Sequence, residues 1–143
     1  MTAAMETVRI APARRRSRGP IAELAEIAIH VDRAVRNQRV LLRRGIRLIA
    51  DDREHAGQLA PSLHALSDAL RFLLDGLNSP MARMDAQDHA LEAVRLLEMA
   101  QGGHHDLSYN VVVAQVRSMV IDVLRATGMS ESASLEAVRS VAS

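Results

Sequence analysis

The chain has 143 residues, a length that fits one domain, and a domain of that size buries roughly 70% of its unfolded surface. It contains no cysteine, which excludes disulfides, thiolate metal sites and cysteine nucleophiles and fits a reducing cytoplasm. The formal net charge is only +1, and Phe72 and Tyr109 are the only aromatics, which weighs against binding of nucleic acid by charge or by base stacking.

Residues 1–19 mix Ala, Thr, Ser, Pro and Arg without periodicity and read as a disordered Arg-rich tail. Arg14, Arg15, Arg16 and Arg18 precede a mildly apolar stretch, but Glu23 and Glu26 interrupt it, so no signal peptide is expected. Gly19-Pro20 opens residues 20–143, the expected helical domain, with proline suited to a first helical turn. From Ile21 to about Ala50 the residues Leu24, Ala28, Val31, Val35, Leu42 and Ile49 recur at steps of three and four or their sums. Gln38 and Gly45 fill the remaining positions of that stripe, where a buried glutamine would fix register and a glycine would let a neighbouring helix approach closely. Asp51-Asp52, with Gly57 soon after, should end this helix.

A second helix is expected from Ser62 to about Leu77, carrying Leu63, Leu66, Leu70, Leu73 and Leu74. Ser79 then caps a third, with Pro80 at its first position, which runs to about Gln101 before Gly102-Gly103. Ser108 is the expected cap of a fourth helix, Tyr109 to Thr127, built on Val112, Val116, Met119, Val120 and Val123. Gly128 belongs at a left-handed C-terminal cap, with Met129 making the apolar contact behind it, and Ser130 caps a short last helix. The pattern predicts an all-α fold: an antiparallel bundle of four long helices plus a short C-terminal helix. No run of ~18 apolar residues exists, the longest being Val111–Ala114, so no membrane span is expected.

No pattern in the sequence marks a catalytic centre. There is no G-x-S-x-G, no glycine-rich phosphate loop and no H-E-x-x-H, so no enzyme activity, cofactor or metal is expected. His104, His105 and Asp106 are the most metal-like cluster, yet a polar inter-helix loop explains them as well, since adjacent histidines point apart.

All 18 basic residues are Arg, which nucleotide bias explains more simply than selection for bidentate anion contacts. Their placement is more informative. Residues 1–50 hold eleven Arg against four acids, while residues 51–143 hold seven against thirteen. Arg36, Arg39, Arg43 and Arg47 form one helical stripe, flanked by Arg33 and Arg44. Either the acids of neighbouring helices neutralise this stripe, or it and the tail residues Arg14, Arg15, Arg16 and Arg18 meet an anionic partner.

Two segments, RAVRNQRVLLRRGIRLI at residues 33–49 and VVVAQVRSMVIDVLRATG at residues 111–128, carry a family resemblance. Together they resemble the cytosolic C-terminal helical region of bacterial FUSC proteins, the fusaric acid resistance or aromatic acid exporter family, over residues 20–143. That family places membrane helices before its soluble part, and those helices are missing here. The resemblance therefore implies a cytoplasmic module, at the inner face of the membrane, that contacts a FUSC-like membrane protein or is a truncated remnant of one. The alternative is an unrelated helical interaction module that pairs with itself as a homo-oligomer.

Overall fold

The computed structural model describes residues 3–51, 53–75, 79–100 and 107–142, with side chains described at residue 25 and from residue 27 onward within those ranges. These residues form six helices and no strand: α1 (Ala3–Asp51), α2 (Arg53–Gln58), α3 (Ala60–Asp75), α4 (Pro80–Ala100), α5 (Leu107–Ala126) and α6 (Glu131–Val141). The protein is all-α among the described residues.

The helix boundaries follow local chemistry. At the start of α4 the Ser79 hydroxyl accepts from the Ala82 amide at 3.4 Å, leaving Pro80 at the first helical position. At the end of α5 Gly128 has φ +98, a backbone conformation that glycine adopts without steric cost. The Gly128 amide donates to the Arg125 carbonyl at 2.9 Å, and the Met129 amide donates to the Leu124 carbonyl at 3.2 Å. Those two bonds are the Schellman closure, with Met129 packed behind it on the core. Ser130 then caps α6 by accepting from the Ala133 amide.

Three boundaries differ from the sequence-based expectation. The backbone of α1 begins at Ala3, so it takes in most of the segment expected as a disordered tail, and Pro20 lies inside a helix instead of at its first turn. Ala, Arg and Glu in that segment are good helix formers, and extending an existing helix costs far less than nucleating one. The stretch after Asp51 expected as a loop contains α2, closed by the Leu59 amide on the Ala56 carbonyl and anchored by the buried Leu59. Ser108 lies within the first turn of α5, since that helix starts at Leu107.

α5 packs against α1, α3, α4 and α6, and so is buried on several faces at once. This explains its valines: Val112, Val113, Val116, Val120 and Val123 are all buried, together with Tyr109, Met119 and Leu124. By length and composition α5 is apolar enough to cross a membrane, although half of it is buried against the other helices, as expected for a central core helix. α3 packs along α4 through small residues, with Ala65 and Ala69 on one helix and Ala86, Ala90 and Ala93 on the other. Their size lets the buried Ser62 hydroxyl donate across the contact to the Ala93 carbonyl at 2.7 Å.

α1 meets α5 with a different face from the one its periodicity suggests. The residues it turns inward are Ile27, His30, Ala34, Leu41 and Leu48. Val35, Leu42 and Ile49, expected on the seam, are 43%, 57% and 51% exposed. Ile27, Ala34, Leu41 and Leu48 repeat every seven residues, as do Val35, Leu42 and Ile49, so α1 carries two adjacent apolar faces and only one is packed.

Candidate functional site

The unpacked face of α1 borders an apolar concavity. α1 and α3 both rest on α5 and make little contact with each other. Between them runs an apolar groove in two stretches, of about 340 and 180 Å³, which share Gln38, Leu70 and Met119. The larger stretch is walled by Leu42, Gly45, Ile46 and Ile49 of α1 and by Leu63 and Leu66 of α3, over a floor of Val112 and Met119. The smaller is walled by Val31 and Val35 on one side and by Leu73 and Leu74 on the other. Ile46 is 68% exposed and Leu74 66%, so each wall presents large aliphatic side chains to solvent.

Gly45 faces this groove, and a Cβ placed on it would meet nothing within 4 Å. The expected close helix contact at Gly45 is therefore wrong, because α1 is turned so that Gly45 borders open space. Gln38 is exposed in the same groove and does not set the register. Its neighbour does. Asn37 donates to Ser118 Oγ at 3.1 Å and to Asp122 Oδ2 at 3.2 Å, both on α5.

Beside Asn37 sits His30, 3% exposed, with Nδ1 3.5 Å from Asp122 Oδ1 but without a hydrogen-bond partner. Asp122 is itself 7% exposed, so a carboxylate is enclosed between Asn37 and an imidazole at the narrow end of the groove. Sliding or rotating α1 would strand Asn37 and Asp122 without partners, which makes the cluster a register device for the α1–α5 contact. Sequence reasoning passed over all three residues. The available signal was the seven-residue spacing of His30 and Asn37, in step with Ala34, Leu41 and Leu48.

The arginine stripe lies on the side of α1 away from α5. Arg36 pairs with Asp32 one turn earlier, and that hydrogen bond, followed by the carboxylate's charge, holds its guanidinium above the ordinary value. Among the described residues Arg39, Arg43 and Arg47 make no ion pair. Four acids of other helices are engaged elsewhere: Asp68 with Arg71, Glu92 with Arg95, Glu98 with Arg117 and Glu131 with Arg125. Neutralisation of the whole stripe by neighbouring helices is thus not what the fold does. Val40, Arg43, Arg44 and Arg47 instead border a shallow depression of about 310 Å³.

The side chains of Arg14, Arg15, Arg16 and Arg18, and residues His104, His105 and Asp106, lie outside the described residues. His89 stacks on Phe72 at 5.0 Å between ring centroids and an interplanar angle of 10°, a contact between α3 and α4. No three metal-ligating side chains converge among the described residues. Compared with known proteins, the chain matches no family model, no curated protein and no solved structure.

Proposed function

We propose that the chain is a non-enzymatic helical interaction module whose α1–α3 groove takes up an apolar segment of a partner. The observation that carries this reading is the second apolar face of α1, which the fold leaves open opposite a matching wall on α3. A chain that needed α1 only for its own stability would not place Leu42, Ile46 and Ile49 at the surface in one continuous row, since contiguous exposed apolar surface marks interaction sites. Titration with Nile red, a neutral dye that fluoresces in apolar surroundings, tests whether the groove accepts a guest. Binding should occur to the native chain and be lost in Leu42→Glu with Ile46→Glu, while helical content and unfolding midpoint stay unchanged. A native chain that leaves the dye dark refutes the reading.

A second reading is that the chain serves as an accessory or remnant domain of a FUSC-type aromatic acid exporter. It is favoured by one observation: the two segments that carry the resemblance, residues 33–49 on α1 and 111–128 on α5, lie on helices packed against each other. Affinity capture from detergent-solubilised native cells tests it. Recovery of a span-rich FUSC protein with the tagged chain supports this reading, and recovery of soluble proteins alone opposes it.

A further inference from the structure

We infer that the partner segment is an acidic amphipathic helix, a conclusion that rests on the groove's being a docking site. The charge around the groove selects the occupant. Arg39 and Arg43 stand one turn from the lining residues Leu42 and Ile46, and among the described residues neither has an ion-pair partner. On the opposite wall Arg71 lies between the lining residues Ser67 and Leu74, with Asp68 as its neighbour at 3.1 Å. Among the described residues the only carboxylate lining the groove is Asp122, and it is already held by Asn37 at the floor.

A helix laid between these walls would place apolar residues on Met119 and Val112 and its flank beside α1 against a basic rim, while Arg71 on the α3 side is already paired with Asp68. Glu or Asp at that flank would gain Arg39 and Arg43 as partners, which make no ion pair among the described residues. The wall on α1 runs from Val31 to Ile49, a length of ~27 Å that matches an occupant of about eighteen residues. Two other occupants fit less well. A second copy joined through this face of α1 would bring Arg39 and Arg43 beside their own counterparts, and like charges so placed repel. A lipid surface is flat at this scale and would leave the recessed floor unfilled.

Two synthetic helical peptides of about eighteen residues distinguish these cases. Both carry Leu at i, i+3, i+4 and i+7, one with Glu and the other with Lys at the flanking positions. Fluorescence anisotropy with the full chain should show the Glu peptide binding about tenfold or more tighter at low salt, with the gap closing as salt rises. Arg39→Gln with Arg43→Gln should remove about tenfold of that preference, weakening the Glu peptide without weakening the Lys peptide. Gly45→Leu, which fills the groove without adding charge, should weaken both peptides. Equal affinity for the two peptides overturns the acidic partner while leaving the groove as a docking site. Failure of both peptides, together with a dark dye, overturns the docking reading itself. A salt-insensitive dimer broken by Leu42→Glu would make the occupant a second copy. Adsorption to vesicles of mixed neutral and anionic lipid that is lost in the same variant would make it a membrane. Either result refutes the inference.

Discussion

Replacing Gly45 separates an open groove from a closed helix contact. In Gly45→Ala the new methyl meets no atom within 4 Å, so the substitution adds no clash. What remains is helix propensity, in which alanine exceeds glycine by ~1 kcal/mol in a helix interior. At about 2.1 cal/mol/K of unfolding entropy per residue, a chain of this size should gain roughly 3 °C in midpoint. Gly45→Leu should also raise the midpoint, because its longer side chain enters the space beside Leu42 and Ile49. A closely packed seam predicts the reverse, an overpacking cost of ~1–3 kcal/mol and a midpoint lower by several degrees. Thermal unfolding followed by circular dichroism on the three proteins decides between them. A fall in Gly45→Ala would mean that α1 and α3 close on each other in solution, and the docking groove would be lost with that result.

Two more substitutions or titrations test the core. Asp122→Ala removes an acceptor of Asn37 and the carboxylate beside His30 inside the α1–α5 contact, and should cost ~1–3 kcal/mol, seen as a midpoint lower by about 3–10 °C. A neutral outcome would show that α1 keeps its register by apolar packing alone. Tyr109 is the only tyrosine, so phenolate absorbance reports it without overlap. Burial, and then the charge of Glu98, push its ionisation above the ordinary 10.0. The folded value exceeds the unfolded one, so this contribution to stability is complete below the ordinary value and is lost as pH rises through the folded value. Absorbance titration should show the midpoint moving down in denaturant, and coincident native and denatured curves would contradict the burial of the ring.

The sequence by itself determined the local grammar of this protein. Ser79 before Pro80, Gly128 before Met129, and Ser130 ahead of a short amphipathic run each bound the backbone groups they were expected to bind. These features are legible because a cap satisfies donors and acceptors within a few residues of itself. The valine-rich α5 was also readable as a core helix, since its apolar residues recur at helical spacing whatever packs around it. The side of α1 that faces the core was not readable. Ala34, Leu41 and Leu48 repeat at the same spacing as Val35, Leu42 and Ile49, and a periodic pattern cannot choose between two equally apolar faces. The choice is made by residues eighty or more positions away: Ser118 and Asp122 on α5 accept hydrogen bonds from Asn37, and Asp122 stands against His30, which fixes α1 in one rotation. That rotation turns the second apolar face outward, opens the groove beside α3 and leaves Arg39 and Arg43 one turn from the lining residues Leu42 and Ile46. The candidate site is therefore a product of tertiary packing, because it depends on which of two faces a distant carboxylate selects.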